Sequence, residues 1–333
     1  MPREQVPDQH RRGLYVAVDG GATKTALVLG TSSGEVLASV RGARSSPHYV
    51  GVDGSIAVID ALVREARAVA GLPASAVLDR AEVYLAGADL PAEVEVLDKA
   101  VGEAGWAREH RVDNDTFALL RAGTDARDAV AVVCGTGINC VGRTADGRTA
   151  RFPSLGPISG DWGGGEHLGQ IALYRAARGE DGRGAATALS AAVAGHFGRA
   201  SVEEVSAGLH FEQIPKTRVD ELSLVLFAVA AAGDAVAQRI VARQAEEIVS
   251  LVRVAAGRLD LHDTPYAVVL GGGVLAARHR LLQDAIEEGV AAHSPYAALT
   301  FLTAAPVTGA ALLALDAFGA PPSAIRVLRA ALR

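Results

Sequence analysis

The sequence predicts an α/β protein made of two domains with related folds, and three observations lead to that prediction. The chain has 333 residues, which exceeds the roughly 150 residues of a typical single domain about twofold. Strand-like and helix-like segments alternate along much of its length. A Val-rich strand, a glycine turn and further strands occur at 14–40 and again at 129–152. Each domain is therefore expected to open with a β-meander.

The first half of the chain contains the elements expected of the first domain. Short apolar runs that end in turn residues predict strands, and apolar residues at a spacing of three and four predict helices. The predicted strands are 14–21, 25–30, 35–40, 81–88 and a short one near 108–115. The predicted helices are 55–70, one that begins at Pro91, and 116–122.

The second half becomes mostly helical after a glycine cluster at 160–165. The Ala-rich segments that predict helices lie near 166–178, 185–196, 201–208, 219–232 and 234–259. A third strand and glycine turn follow at 266–277, and a strand and a helix containing Gly309 close the fold. No low-complexity segment separates the halves, which favours two domains joined by a tight hinge.

Composition and charge exclude several classes of protein. Half of the residues are hydrophobic and 21% are charged, which excludes a largely disordered chain. The net charge of −6 and the pI near 5.9 provide no electrostatic reason to bind nucleic acid or an anionic membrane, so we expect neither partner. The two cysteines, Cys134 and Cys140, cannot form a four-cysteine zinc site and fit a reducing cytoplasm.

The chain shows no sequence signal for secretion or for a membrane. Residues 1–13 are polar and lack the apolar centre of a signal peptide, so we interpret them as a disordered tail. The longest strongly apolar segment, 222–232, is shorter than the about 20 residues that a membrane-spanning helix needs. We therefore expect a cytoplasmic protein.

The first of three glycine turns is DGGATKT, Asp19–Thr25. The N–H groups of a Gly-Gly turn can wrap a phosphate because no side chain blocks its approach. Thr23 and Thr25 add hydroxyl groups, and Lys24 either contacts phosphate or points into solvent. Asp19, at the strand end, could hold water on a magnesium ion. The alternative to a phosphate-binding turn is an ordinary β-hairpin with an acidic residue beside its turn.

The second and third glycine turns are CGTGIN, Cys134–Asn139, and LGGG, Leu270–Gly273. Each follows a Val-rich strand, and each alone is a weak signal, since a run of glycines at a strand end is more often plain turn geometry. The three turns together could converge on one nucleotide.

The order of DGGATKT, a central acid, CGTG and LGGG resembles the sugar kinase, Hsp70 and actin superfamily. PVTGAALLAL resembles its second connecting helix, with Gly309 at the crossing. The chain is similar to the N-acetylglucosamine kinase branch, which is grouped with the BadF/BadG/BcrA/BcrD-type ATPases, over roughly residues 14–318. The resemblance implies an α/β fold of two actin-like (ribonuclease H-like) domains. Each would be a mixed five-stranded sheet flanked by helices, with the nucleotide in the interdomain cleft.

The resemblance also implies domain limits and an activity. The limits are 14–117 and 118–306 for two ATPase domains, and 307–333 for a helix that returns toward the first. The implied activity is transfer of the γ-phosphate of ATP, with Mg²⁺, to a hydroxyl of N-acetylglucosamine or a related amino sugar. O6 is the expected hydroxyl, and a homodimer is the expected assembly. The residues implied to bind ATP are Gly20, Gly21, Thr23, Lys24, Thr25, Gly135, Thr136, Gly137, Asn139, Gly271, Gly272 and Gly273.

The central acid lies in RVDNDTFALLRAG, where a strand is expected to meet a helix. In the family an aspartate at this point is the general base, and Asp115 matches it best, with Asp113 as the second choice. A carboxylate near the attacking hydroxyl orients it and takes its proton. The alternative is that Asp113, Asn114 or Asp115 only caps the following helix.

The sugar-binding residues are also carried over from the resemblance. They are Ser46, His48, Asn114, Thr136, Gly160 and Asp161. Trp162 replaces a family glutamate, Leu155 replaces a family tryptophan, and the loop at 44–51 lacks the family asparagine. Trp162 either stacks on a sugar or belongs to the core. These departures leave the acceptor open, including another sugar or a sugar-bearing natural product.

Three other functions remain as alternatives. A reductase or dehydratase activator couples ATP hydrolysis to a [4Fe–4S] cluster, but Cys134 and Cys140 are expected to be buried beside the second turn. A sugar-responsive regulator needs a DNA-binding domain, for which the tail is too short. A catalytically silent sugar sensor is disfavoured by the three glycine turns together with Asp19 and Asp115.

Overall fold

Two mixed five-stranded sheets with flanking helices form the framework of the protein. The computed structural model describes residues 13–333, so the predicted tail at 1–13 lies outside the described residues except for Gly13. The strands are β1 Leu14–Gly20, β2 Thr25–Thr31, β3 Val36–Gly42, β4 Leu78–Leu85, β5 Ala107–Asn114, β6 Ala129–Cys134, β7 Ile138–Arg143, β8 Thr149–Arg151, β9 Tyr266–Gly271 and β10 Ala297–Phe301.

Twelve α-helices are present in the described part of the chain. They are α1 Pro47–Val69, α2 Pro91–Ala104, α3 Asp115–Gly123, α4 Gly165–Glu180, α5 Leu189–His196, α6 Val202–His210, α7 Leu222–Ala231, α8 Ala235–Arg258, α9 Gly273–Ala276, α10 Arg280–His293, α11 Pro306–Ala317 and α12 Pro322–Ala331. Two 3₁₀ turns, Gly156–Ser159 and Lys216–Glu221, lie among them.

Both sheets have the same topology. The first has the order β3-β2-β1-β4-β5 and the second β10-β9-β6-β7-β8. In each, three consecutive strands pair antiparallel, and two later strands add in parallel beside the first of them. The predicted internal repeat and the predicted α/β class with two mixed five-stranded sheets are therefore confirmed.

The chain divides into two compact units, each with its own core. The first unit comprises residues 13–122 with Ala304–Arg333, and the second comprises Gly123–Thr303. In the first unit β1 is buried from Tyr15 to Val18, as expected of a central strand covered on both faces. The limits predicted from the sequence, 117 and 306, fall inside α3 and at the first residue of α11.

The ends of several helices follow from local chemistry. Pro91 opens α2, and the Glu93 carboxylate accepts the N–H groups of Asp89 (3.0 Å) and Leu90 (2.8 Å). The helix ends at Gly105, whose φ of 64° suits glycine. In the second unit Asp234 caps α8 by accepting from Val236 (3.0 Å) and Ala237 (2.8 Å).

The structure differs from the sequence prediction in three places. The helix expected at 55–70 begins at Pro47, with a kink at Gly51, where φ is 70°. Helix α10 was not predicted, although Leu282, Ile286 and Val290 form its buried face. The single helix expected at 307–333 is two helices, because the left-handed Gly319, with φ of 63°, follows the end of α11 and Pro322 begins α12.

No single helix among residues 13–333 is long and apolar enough to cross a membrane. One pair, Lys216–Ala231 with Ala235–Arg258, meets the length and composition criteria only when taken together, and it is bent by 113°.

Candidate functional site

The turn between β1 and β2 carries the first predicted phosphate loop. The strands pair as far as Gly20 and Thr25, and the N–H of Gly21 donates to the carbonyl of Lys24 at 2.9 Å. Gly20 has no room for a side chain, because a Cβ there would overlap Leu85 and a neighbouring serine. A glycine is therefore required for this turn to pack against the sheet.

The hydroxyl groups of this turn have different environments. Thr25 is fully buried, and its hydroxyl lies in hydrogen-bond range of the carbonyl of Ala43 (2.6 Å) and Oγ of Ser45 (2.8 Å). Thr23 and Lys24 are exposed. The structure thus leaves the side chains of Thr23 and Lys24 accessible to a ligand, whereas the Thr25 hydroxyl holds β2 to the segment that follows β3.

Asp19 and Asp115 form an acid pair in the first unit. Asp19 is near the end of β1 and Asp115 is the first residue of α3. Burial raises the pKa of Asp19 to about 7, the charge of Asp115 adds to the rise, and Lys24 opposes it. Burial likewise raises the pKa of Asp115 to about 6, against hydrogen bonds from Thr116. The two carboxylates are close enough for their charges to interact.

Asn114 supplies the cap of α3. Its Oδ1 accepts the N–H of Thr116 (3.0 Å), and its Nδ2 donates to Oδ1 of Asp89 (2.8 Å). Asp113 is buried, pairs with Arg111 at 3.2 Å and accepts the N–H of Asn114 at 2.8 Å. Of the three residues that could cap the helix, Asn114 does so with its side chain. These contacts favour structural roles for Asn114 and Asp113 over the predicted sugar-binding and second-choice base roles.

His48 belongs to a small cluster that the sequence did not reveal. Its Nε2 lies 2.9 Å from Oε1 of Glu93, and one ligand atom each of His48, Asp89 and Glu93 lies within 4.8 Å of the other two. Such a group could hold a cation, although Glu93 is already engaged by the N-terminus of α2. Ser46, the other predicted sugar contact of this loop, is buried.

The second turn, between β6 and β7, is supported from behind by the start of α4. The N–H of Gly135 donates to the carbonyl of Gly137 (2.9 Å), and Gly135 in turn accepts from the N–H of Gly165 (2.7 Å). The N–H of Glu166 donates to the carbonyl of Thr136 (3.1 Å). Sequence reasoning missed this support, because the two glycine segments are almost thirty residues apart.

The third turn packs directly on the strand that leads into the second. Gly272 has φ of 94°, and a Cβ there would lie 2.5 Å from the carbonyl carbon of Cys134. Gly273 begins α9. The second and third glycine turns therefore meet backbone to backbone within the second unit. Asn139 is buried, with its Oδ1 accepting the N–H of Cys140 at 2.6 Å.

A cavity of about 310 Å³ opens beside the second turn and includes Thr136, Gly137 and Asp161 in its lining. Asp161 is held in place because its Oδ2 accepts from Oγ of Ser159 (2.6 Å) and from the N–H of Gly156 (3.0 Å). The structure thus brings two predicted sugar contacts, Thr136 and Asp161, to one cavity.

Two other residues of that cavity, Glu166 and His167, lie on the first turn of α4 and were not predicted. The Nδ1 of His167 accepts the N–H of Gly163 (2.9 Å), and burial lowers the pKa of this imidazole. Gly160, with φ of 84°, ends the preceding 3₁₀ turn and is not in the lining. Trp162 packs partly buried against the core of the unit, outside this cavity.

A family model described as the BadF/BadG/BcrA/BcrD ATPase family matches residues 16–314. The chain belongs to this family. The resemblance drawn from the glycine turns is thereby confirmed, and membership of an ATPase family supports ATP as the nucleotide.

Two curated relatives and one solved structure show how far this BadF/BadG/BcrA/BcrD-family chain resembles known proteins. It is 26% identical over 263 residues to an N-acetylmuramic acid/N-acetylglucosamine kinase of Clostridium acetobutylicum, covering 78% of this chain and 85% of the relative. It is 26% identical over 316 residues to the N-acetyl-D-glucosamine kinase of Dictyostelium discoideum, covering 91% and 98%. A candidate N-acetylglucosamine kinase from Chromobacterium violaceum shares the fold with a TM-score of 0.71 and 23% identity, covering 91% of this chain and 99% of that one.

The two cysteines of this ATPase-family chain are buried on neighbouring strands. Cys140 lies opposite Val132 in the β6–β7 ladder, and Cys134 ends β6. Burial raises the pKa of Cys134 to about 12 and also raises the pKa of Cys140. A cluster shared across a dimer needs cysteine ligands near a surface, whereas both thiols lie in the core of the second unit, which disfavours the activator alternative.

Proposed function

We propose that this chain is an ATP-dependent kinase that phosphorylates N-acetylglucosamine or a closely related amino sugar. The observation that carries the proposal is the acid pair of Asp19 and Asp115, which lie near the end of β1, just before the first glycine turn, and at the start of α3. Two relatives named as N-acetylglucosamine kinases, which match most of the chain, support the class of acceptor.

Asp115 is the proposed general base. Because Asn114 caps the helix with its side chain, Asp115 is not needed for that role. A base works best when its pKa lies near the working pH, and burial raises the pKa of Asp115 to about 6. Its carboxylate would orient the acceptor hydroxyl and take its proton late in the reaction.

With Asp115 as the base, phosphoryl transfer makes one bond to phosphorus and breaks another. The acceptor oxygen, which we propose to be O6, forms a bond to the γ-phosphorus of ATP. The bond from that phosphorus to the bridging oxygen breaks, ADP leaves, and the hydroxyl proton passes to Asp115. The N–H groups of Gly21 and Gly135 are bonded within their turns, so the N–H groups of the other turn residues, at 22–24 and 136–137, would bind the phosphate oxygens, with Lys24 adding a positive charge. Gly271–Gly273 would meet the adenosine.

Asp19 is the residue of this chain that fits magnesium. Burial, and then the neighbouring charge of Asp115, destabilises its ionised carboxylate and raises its pKa, and a divalent cation beside it would stabilise the ionised form. When bound, Mg²⁺ neutralises charge on the phosphate oxygens. Asp19 would hold it through water, as hard cations of this size commonly keep part of their water shell.

The sugar is proposed to meet Asp161 and Thr136 at the cavity of about 310 Å³ in the second unit. Asp161 is fixed by two hydrogen bonds, so its free carboxylate oxygen could accept from a sugar hydroxyl without a change of conformation. His48 is exposed and is more accessible than Ser46, the other predicted contact in the loop at 44–51.

Sugar-dependent ADP release tests the proposal. Wild type and Asp115→Asn are assayed with ATP, Mg²⁺ and a panel of amino sugars and neutral hexoses. The variant should lose about 100-fold or more in kcat, the range expected for a general base, while still binding ATP. Asp98→Asn, an exposed carboxylate on α2, is the control and should keep full turnover.

Two outcomes would overturn parts of this proposal. Undiminished turnover in Asp115→Asn would remove Asp115 from the role of base. Absence of stimulation by every sugar, with slow ATP hydrolysis intact, would instead indicate an ATPase that drives a partner protein.

A further inference from the structure

A second cavity of the second unit lies between α4 and α8 and has no role in the proposed phosphoryl transfer. Its volume is about 290 Å³. Four arginines contribute to its lining: Arg175, Arg178, Arg239 and Arg243. No carboxylate lines it among the described residues, although the chain as a whole has a net charge of −6.

The arginines are placed there by helical periodicity. Arg175 and Arg178 are three apart on α4, and Arg239 and Arg243 are four apart on α8, so each pair shares one face of its helix. Apolar side chains complete the lining, with Trp162 as the largest of them. The cavity therefore combines an apolar wall with four guanidinium groups.

The charges of these arginines are only partly neutralised. Arg243 pairs with Glu246 (3.2 Å) and Glu247 (3.3 Å) outside the cavity lining. Arg178 donates to the backbone carbonyl of Arg183 at 2.6 Å.

The remaining two arginines have no acidic partner. Within residues 13–333 the side chain of Arg239 makes no hydrogen bond or ion pair, and that of Arg175 only lies near the ring of Tyr174, at 5.6 Å. At least two cationic groups are thus available to a ligand.

We propose that this cavity binds a small phosphorylated compound that carries at least two negative charges. Guanidinium groups bind phosphate through paired N–H donors in a planar fork, and four of them from two helices can surround one or two phosphate groups. The volume is close to the lower end of the roughly 300–1,000 Å³ typical of ligand sites. The apolar wall at Trp162 suits a ring that carries the phosphate.

The position of Trp162 connects this cavity to the other one. Its chain neighbours Asp161 and Gly163 line the cavity of about 310 Å³, and α4 contributes residues to both cavities. A ligand beside Trp162 therefore contacts the segment that holds Asp161. Binding in this cavity could therefore shift Asp161, the proposed sugar contact. The fluorescence of Trp162 reports whether the cavity is occupied.

Calorimetric titration of the full chain with pyrophosphate and with a hexose 6-phosphate tests the proposal, at constant ionic strength and with the proposed kinase site saturated by ADP and N-acetylglucosamine. We expect one saturable site per chain for at least one of the two probes, with tryptophan emission changing at the same midpoint. The double variant Arg175→Gln, Arg239→Gln should bind at least about tenfold more weakly, since each substitution removes a charge-assisted hydrogen bond. Binding of ATP by this variant reports that it is folded.

Arg253→Gln is the matched control, because Arg253 is exposed on α8 but does not line the cavity. It should bind the probe within about twofold of wild type, the scale of an exposed charge. Tighter binding of the hexose phosphate would identify a sugar phosphate as the ligand class, and tighter binding of pyrophosphate a polyphosphate. No saturable binding of either probe, or equal affinity in the double variant, would overturn the proposal.

Discussion

Substitution of Gly309 by alanine tests how the first unit positions its proposed base. Gly309 lies in α11 where that helix crosses α3. A Cβ there would lie 2.7 Å from the carbonyl carbon of Ala118 and 2.8 Å from the nitrogen of Ala122, and nearer still to the Ala118 carbonyl oxygen. Real Cβ atoms keep at least 3.0 Å from such atoms, so the two helices must separate.

The cost of that separation follows from three contributions. Overpacking a well-packed contact costs about 1–3 kcal/mol, and backbone atoms cannot move aside as a side chain can. Alanine offsets about 1 kcal/mol of this because it is the better helix former. The separation also strains the paired hydrogen bonds from Arg121 to Asp316, 2.7 and 3.1 Å, that join α3 to α11. We expect a net loss of about 2 kcal/mol, or roughly 4–8 °C in Tm.

The measurement is thermal unfolding together with sugar-dependent turnover. Because α3 begins at Asp115, its displacement should lower kcat as well as stability. Gly195→Ala in α5 is the control, since a Cβ at Gly195 meets nothing within 4 Å, and it should stabilise by up to about 1 kcal/mol. A Gly309→Ala protein with unchanged Tm and unchanged turnover would refute the reasoning.

Three further predictions concern the second unit. Asp234→Ala should lower the free energy of unfolding by about 1–2 kcal/mol in urea denaturation, because the α8 cap is lost; an unchanged midpoint would contradict this. Gly164→Ala should raise the KM for ATP severalfold, because its φ of 85° is strained for alanine at a cost of about 1–3 kcal/mol and its Cβ would press on the second turn; a change in the KM for sugar alone would argue otherwise. Hydrogen bonds from Arg218 and His196 lower the pKa of Glu221 to about 2 from its ordinary 4.5. The ionised Glu221 therefore contributes its full stabilisation above pH 4.5, and this contribution is lost as pH falls toward 2. In Glu221→Gln the urea midpoint should depend less on pH across that window. An equally steep decline of the midpoint in the variant would show that Glu221 is not the cause.

The sequence predicts best those elements whose signal is local. The meander at β1 and β2 is visible because Val-rich runs alternate with glycine turns, and α2 is visible because Pro91 and Glu93 are both preferred at a helix start. The buried face of α10 also repeats with the helical period, but it comprises only Leu282, Ile286 and Val290, and sequence reasoning missed this helix.

The sequence does not show which residues that are distant along the chain contact each other in the fold. Asn114 and Asp115 are adjacent and both suit a helix cap, so only the bonds of Asn114 with the N–H of Thr116 and with the distant Asp89 show that Asn114 is the one committed to structure. Likewise nothing in the sequence distinguishes Gly164, and the resemblance alone places Gly309 at a helix crossing. The backbone atoms that leave no room for a Cβ at either position are visible only in the structure.

The burial of Cys134 and Cys140, the only cysteines of the chain, has a practical consequence. Alkylating reagents attack thiolates, and the folded protein presents no accessible one. A fluorophore can therefore be attached to a cysteine introduced at any exposed position while both native cysteines stay in place. The native thiols become reactive only when β6 and β7 separate, so their rate of alkylation measures how often this part of the second sheet opens.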